Sequence, residues 1–458
     1  MGKLFGTDGV RGTANSFLTP ELTMEIGRVG AYILAGRLAG QSARPPKILI
    51  GLDTRLSGDM LEAALVAGLC SVGAEVHKAG VIPSPAMAYL MRYYKMDAGV
   101  MLSASHNPMA DNGIKFFDSE GFKLSDEIEN EIESYLHGQG PQIPRPVGDN
   151  VGRCKLCPNA AADYITFLAG TVNQSFDGMK VVLDCANGAC SKVAPTIFKQ
   201  LGADVVPIHY NPNGVNINLN CGSTHLESLM STVCETKADI GLAFDGDGDR
   251  MLAVDDMGKA MDGDVIMAIC GLALKKAGRL NNNSIVATVM SNLGLQKFCD
   301  GENIELLRTA VGDRYVIQEM KAGGYNLGGE QSGHIIFSDY NTTGDGVLTG
   351  LQLLSTLMDS KMKLSELRKI MKAMPQVLYG AKLDKPLSGE LRSNEKIDQA
   401  IKELEQEFAG GDITPTGRVL VRPSGTEPLV RVMIEGQDES VIKKQAKALV
   451  ALIEKELK

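Results

Sequence analysis

Ile240-Gly241-Leu242-Ala243-Phe244-Asp245-Gly246-Asp247-Gly248-Asp249-Arg250-Met251-Leu252-Ala253-Val254 is the stretch on which the fold turns. Ile240 to Phe244 reads as a buried strand, Asp245 to Arg250 as a polar loop, and Met251 to Val254 as the strand that follows. Upstream, Lys180 to Leu183 reads as another strand, the helical spacing of apolar residues centres on Val193 to Leu201, and Asp204 to His209 returns as a strand. The unit is strand, helix, strand, and later a strand that ends in a glycine-rich polar loop.

The same unit occurs before and after. Lys47 to Leu52, a helix over Asp59 to Val72, Glu75 to Ala79 and Ala98 to Leu102 lead into Ser103-Ala104-Ser105-His106-Asn107-Pro108. Ser284 to Val289, a helix near Leu293 to Asp300, Ile304 to Thr309 and Tyr325 to Leu327 lead into Gly328-Gly329-Glu330-Gln331-Ser332-Gly333-His334. The period is too long for a solenoid. Strands alternating with helices predict α/β domains with mixed or mostly parallel sheets. Ligands of such sheets bind beyond the strand ends, so three polar loops at equivalent positions are expected to face one cleft. The last part departs from the pattern: Gly417 to Val421 and Leu429 to Ile434 read as strands around Arg422-Pro423-Ser424-Gly425-Thr426-Glu427-Pro428. A closing helix has Ile442, Ala446, Leu449 and Ile453 on one face. The expected fold is three similar α/β domains with mixed sheets plus a smaller C-terminal α+β domain, divided as 1–157, 158–257, 258–372 and 373–458.

Composition agrees with a multidomain globular chain. At roughly 100 to 200 residues per domain, 458 residues suggest about three domains, with room for several sizeable cores. There are 46 Lys and Arg against 55 Asp and Glu, a net charge of -9, and 5% aromatic residues, which disfavours nucleic-acid binding. No run approaches the roughly 18 apolar residues of a membrane span. Nine cysteines in a long chain, and an opening Met-Gly-Lys-Leu-Phe-Gly-Thr-Asp without a leader pattern, predict a reduced, cytoplasmic protein. The one Cys-x-x-Cys, Cys154 to Cys157, has no second pair at zinc spacing. The 51 glycines are in excess of average usage and are expected in tight turns and ligand loops.

The loops carry the chemistry. Asp245, Asp247 and Asp249 alternate with glycines that let the backbone curl, so the three carboxylates can converge on one hard cation. An EF-hand is excluded, because the sixth position is Arg250 and a strand follows. An acidic turn facing solvent is the bland alternative, disfavoured by the mutual repulsion of three carboxylates. Ser105 lies next to His106, but adjacency in sequence does not make a nucleophile and base pair. Near an aspartate cluster, a serine that carries a phosphoryl group is the better reading, since that dianion needs a divalent ion and cations nearby. Arg422, Ser424, Gly425 and Thr426, with Arg431 a few residues on, offer guanidinium, hydroxyl and N–H donors to a phosphate. No Walker sequence is present, so ATP is not the indicated ligand. Glu330, Ser332 and His334 supply the paired donors and acceptors that sugar hydroxyls require. Arg11 and Lys115 are further candidate phosphate or acid/base groups.

These segments together, from Phe5-Gly6-Thr7-Asp8-Gly9-Val10-Arg11-Gly12 to Arg422-Pro423-Ser424-Gly425-Thr426-Glu427-Pro428, resemble the α-D-phosphohexomutase superfamily over the whole chain. Val311-Gly312-Asp313-Arg314-Tyr315 and Gly329-Glu330-Gln331-Ser332-Gly333-His334 resemble its branch acting on hexosamine phosphates, where mannose and glucose relatives carry Met at the position of Gln331. The resemblance implies four domains around a central cleft, a phosphoserine at Ser105, and Mg²⁺ held by Asp245, Asp247, Asp249 and a phosphoserine oxygen. It implies that Arg11 and Arg250 neutralise the phosphoryl group, and that Lys115 and His334 stand near the reacting hydroxyl as general acid and base in an order left open. Glu330 and Ser332 would orient the sugar, while Arg422, Ser424, Gly425, Thr426 and Arg431 would hold the phosphate that is not reacting. The implied reaction interconverts glucosamine 6-phosphate and glucosamine 1-phosphate through a 1,6-bisphosphate, feeding amino-sugar nucleotide and cell-wall precursor synthesis, with a homodimer as one option for assembly. Action on mannose or glucose phosphates, a magnesium-dependent phosphatase, and a non-catalytic sugar-phosphate binder are the competing expectations.

Overall fold

A computed structural model of the chain describes residues 4–6, 8–38, 44–385, 391–409, 416–423 and 428–457. These form two compact units, one of residues 1–290 with 306–369, the other of 291–305 with 370–458. Among the described residues, no helix is long and apolar enough to cross a membrane.

The first unit is built on three sheets of one plan. In the first, Lys47–Leu52 lies between the parallel strands Glu75–Val81 and Ala98–Leu102, and Asp111–Phe117 pairs antiparallel with Ala98–Leu102. In the second, Lys180–Asp184 lies between the parallel strands Asp204–Ile208 and Ile240–Phe244, and Met251–Asp255 returns antiparallel beside Ile240–Phe244. In the third, Ser284–Thr288 lies between Glu305–Thr309 and Leu327–Gly329, and Ile335–Phe337 returns antiparallel. Each polar loop is thus the turn between the third strand of the plan and its antiparallel neighbour. The central strands are buried on both faces, as in Ile240–Phe244 and Ala98–Leu102, where every residue is buried. That two-sided burial is why they read as continuous apolar runs rather than as alternation.

In the third copy the last parallel strand differs from expectation. The strand expected at Tyr325 to Leu327 is Leu327–Gly329, so Gly328 and Gly329 belong to the sheet rather than to the loop. The preceding helix, Asp313–Gly323, closes through Gly324 at φ 68°, and the Tyr325 N–H still bonds back to Met320 O at 2.9 Å. Extension therefore begins only at Leu327. Glycine is required in this strand because a Cβ on Gly328 would stand 2.9 Å from Val286 O, and one on Gly329 2.5 Å from His334 O.

The second unit carries an antiparallel sheet in the order Gln376–Lys382, Leu429–Glu435, Arg418–Pro423. Its closing helix, Glu439–Leu457, buries Ile442, Ala446, Leu449 and Ile453, the face its spacing predicts. The helix Leu293–Gly301 belongs to this unit, although by chain order it is the first helix of the third copy. Its Leu293 N–H donates to Glu435 Oε1 at 3.1 Å, Asn292 exchanges hydrogen bonds with the Met374 backbone, and Gly294 admits no Cβ beside Lys372 O.

Candidate active site

Ser105 follows the strand Ala98–Leu102 and takes φ 51°, a left-handed conformation that a non-glycine residue adopts only when its surroundings hold it there. The clamp is Arg55. Its buried guanidinium pairs with Asp53 at 2.9 Å and donates to the carbonyls of Ser105, Asn107, Pro108 and Asp111. Asn218 Nδ2 adds a second donor to Ser105 O at 2.8 Å, and the Ser105 N–H donates to Ser103 Oγ at 2.9 Å. With its backbone fixed on every side, Ser105 directs Oγ to Asp245 Oδ2 at 2.6 Å, with His106 Nδ1 at 3.3 Å. Burial, then the Arg250 and Arg11 charges, push the His106 imidazole down to about 4, so it is neutral at physiological pH.

The aspartates converge as the spacing implies: one carboxylate oxygen of each lies within 4.8 Å of the others, and all three residues are buried. Asp245 accepts from the Arg250 N–H and from Ser105. Asp247 Oδ2 accepts from Lys115 Nζ at 2.8 Å and from Ser84 Oγ at 2.6 Å. Asp249 Oδ2 faces His334 Nδ1 at 3.5 Å. Oδ1 of Asp247 and Oδ1 of Asp249 are buried with no hydrogen-bond partner. Burial and then the neighbouring carboxylates raise Asp245 well above the ordinary carboxylate range. Burial also acts upward on Asp249, but His334, Lys115 and Arg250 outweigh it and hold that group low. Two unpartnered buried carboxylate oxygens in an oxygen-only donor set fit a hard divalent cation.

A chain of charges runs from the triplet into the first and third copies. Lys115 Nζ bridges Asp247 and Asp8 Oδ2 at 2.9 Å; burial opposes its charge, but those carboxylates outweigh it and raise the ammonium's pKa. Arg11 pairs with Asp8 at 2.8 Å, and Lys123 bridges Asp8 to Asp313. The Gly344 N–H donates to His334 Nε2 at 3.0 Å, placing the neutral ring's proton on Nδ1, toward Asp249. Burial lowers the His334 pKa, but Asp249 and Asp313 outweigh it and give a net upward shift. Glu330 accepts from the Gly312 N–H at 3.1 Å and from Ser332 Oγ at 3.4 Å, and Gln331 Nε2 donates to Asp262 at 3.2 Å. A cavity of about 340 Å³ borders this region, lined in part by Lys123, Asp313, Arg314 and His334.

Residues 2–141, 162–258 and 262–374 match the alpha/beta/alpha domains I, II and III of phosphoglucomutase/phosphomannomutase, and residues 356–452 match its C-terminal domain. The chain belongs to the phosphoglucomutase/phosphomannomutase family. It is 56% identical over 454 residues to a phosphoglucosamine mutase of Ruminiclostridium cellulolyticum, covering 99% of each chain. It is 55% identical to one of Acetivibrio thermocellus over the full length of both. Among solved structures, a phosphoglucomutase/phosphomannomutase family protein of Burkholderia thailandensis superposes with a TM-score of 0.81 at 23% identity, over 98% of this chain and 97% of that one. An Aspergillus fumigatus N-acetylphosphoglucosamine mutase superposes at 0.69 and 16%, over 99% and 96%, which bears on the fold alone.

The mutase-family chain therefore brings Ser105, the three aspartates, Arg11, Lys115, Arg250 and His334 into one cluster, with Glu330 close enough to Arg250 for their charges to interact. In the second unit, Arg422 and Arg431 are directly opposite each other on paired strands. Ser424, Gly425 and Thr426 lie outside the described residues. Ser84, Asp53, Arg55 and Lys123 were not legible as site residues. Asp53 and Arg55 had one available signal, since they directly follow the first strand of a repeat whose third strand ends in a functional loop. A second donor group, Asp184, His209 and Cys221, also gathers within 4.8 Å. There Asp184 accepts from the Ala186 and Gly222 N–H groups, which makes it an organiser of two loops.

Proposed function

We propose that this chain is a phosphoglucosamine mutase, interconverting glucosamine 6-phosphate and glucosamine 1-phosphate through a phosphoserine enzyme. The observation that carries the reading is the Ser105 Oγ, pinned 2.6 Å from Asp245 inside a buried oxygen-only cluster. Full-length identity to phosphoglucosamine mutases supports the choice of hexosamine phosphate over other sugar phosphates.

In the forward direction, the P–Oγ bond of phospho-Ser105 breaks and a P–O1 bond forms on glucosamine 6-phosphate, whose O1 proton passes to a base. The 1,6-bisphosphate turns end for end. Its P–O6 bond then breaks as P–Oγ re-forms, a proton goes to O6, and glucosamine 1-phosphate leaves. Phosphoryl transfer needs positioning and charge compensation more than covalent help from the protein. Arg11 and Arg250 supply guanidinium charge beside Ser105. Lys115 is held as an ammonium by two carboxylates, which suits it to donate a proton or a hydrogen bond. His334 and Lys115 are the acid/base pair of this proposal. Glu330 and Ser332 receive sugar hydroxyls, and Arg422, Ser424, Gly425, Thr426 and Arg431 hold the distal phosphate. Mg²⁺ is the proposed ion, held by Asp245, Asp247, Asp249 and an oxygen on Ser105, and when bound it offsets charge on the transferring phosphoryl group. The domain division 1–157, 158–257, 258–372 and 373–458 and a cytoplasmic location belong to the same proposal.

The test is peptide mass mapping of phosphate on the purified protein, followed by an assay of both glucosamine phosphates with Mg²⁺ and a trace of bisphosphate. Phosphate on the Ser105 peptide and turnover are expected. An unmodified Ser105 with no activity after priming would sink the proposal, and stoichiometric release of inorganic phosphate would replace it with a phosphatase.

A further inference from the structure

Ser84 opens the helix Ser84–Tyr93, between Pro83 and Pro85, and is 3% exposed. It spends both of its donors on one residue: Oγ donates to Asp247 Oδ2 at 2.6 Å, and the backbone N–H donates to Asp247 O at 2.8 Å. Lys115 Nζ donates to the same Oδ2 at 2.8 Å. Pro83 stands at φ -62° and ψ 150°, so the chain enters the helix in a fixed direction, and Pro83 packs close to Gly248. Two donors converge on Oδ2, while Oδ1 is buried and unpartnered. The carboxylate cannot rotate without giving up both bonds.

We infer that Ser84 is a positioning residue for the cation site: it holds Asp247 so that Oδ1 alone is presented to the metal. The inference rests on the reading of Asp245, Asp247 and Asp249 as a Mg²⁺ site. Mg²⁺ demands near-octahedral geometry and tolerates a wandering or two-oxygen carboxylate poorly, and groups that orient metal ligands typically contribute about 10–100-fold to metal affinity. Because Ser84 belongs to the first copy and Asp247 to the second, the ligand geometry also depends on the contact between the two.

The experiment is Mn²⁺ binding by electron paramagnetic resonance on the full chain, comparing wild type, Ser84→Ala, Ser84→Cys and Asp247→Asn, with melting in EDTA as the check on folding. Ser84→Cys keeps the volume with a weak donor and carries the test if the alanine variant fails to fold. Both Ser84 variants are expected to bind Mn²⁺ about tenfold more weakly. The Mg²⁺ needed for half-maximal turnover should rise in parallel, with kcat at saturating Mg²⁺ within about twofold, a split that loss of fold would not produce. Wild-type affinity in both variants overturns the inference alone. A wild-type chain that binds no Mn²⁺, indistinguishable from Asp247→Asn, overturns the metal reading and this inference with it.

Discussion

Ser105 is held in a conformation that on its own costs on the order of 1–3 kcal/mol, and the residue that offsets this is Arg55, through four carbonyls and one carboxylate. Lysine keeps the charge but not the fork. Arg55→Lys is therefore expected to loosen the serine loop and lower kcat by roughly a hundredfold, the scale associated with misplacing a reacting group by about 1 Å. KM should stay within about twofold, because Arg55 contacts no proposed sugar ligand. Steady-state kinetics decide it, and an unchanged kcat would mean that the other donors suffice to shape the loop.

Among the connecting elements, the helices Ser84–Tyr93, Ala160–Ala169 and Gly346–Ser360 meet at a buried polar node, one from each copy or its approach. Asp345 caps the third of these through the Leu348 N–H and accepts from Tyr164 Oη at 2.8 Å and from Asn341 Nδ2 at 3.1 Å. Asn341 Nδ2 also donates to Pro85 O. Burial raises the Asp345 carboxyl to about 6, against weaker lowering by those hydrogen bonds. The unfolded value is about 3.9, so the folded chain holds this proton more tightly. Its contribution, on the order of 3 kcal/mol, is full below about pH 4 and lost as pH rises through about 6. Asp345→Asn removes the titration, so the variant should gain in melting temperature on wild type between pH 4.5 and 7.5. A constant difference across that range would show that Asp345 does not titrate there. The same elements show what the sequence could carry. The strands and their loops were legible because each is a continuous apolar run stopped by a polar cluster. Gly346–Ser360 carries the amphipathic spacing of a helix, with Gln352, Ser355, Thr356 and Asp359 opposite the buried Val347, Leu351 and Leu354, but no glycine-rich polar loop follows it to mark a site. Ser84 was illegible for a different reason: its partner Asp247 is 163 residues away, and no local pattern marks such a pair.

Across the whole molecule, two compact units predict two calorimetric transitions rather than one. Glu435 is the lever for telling them apart. It is fully buried and binds Arg418, the Leu293 N–H and Gln376, all within the second unit. Breaking a buried ion pair from one side costs about 3–5 kcal/mol, so Glu435→Ala should lower one transition by several degrees and leave the other in place. A single transition that shifts as a whole would show that the units unfold together. That second unit is discontinuous in the chain, since 291–305 precede the rest of it by the length of a small domain segment. During synthesis the helix Leu293–Gly301 emerges well before Met374 and Glu435 exist to receive it, and at roughly 5–20 residues per second it waits several seconds for them. A gene truncated near residue 372 would make that wait permanent, leaving an orphaned helix that chaperones and proteases would be the first to meet.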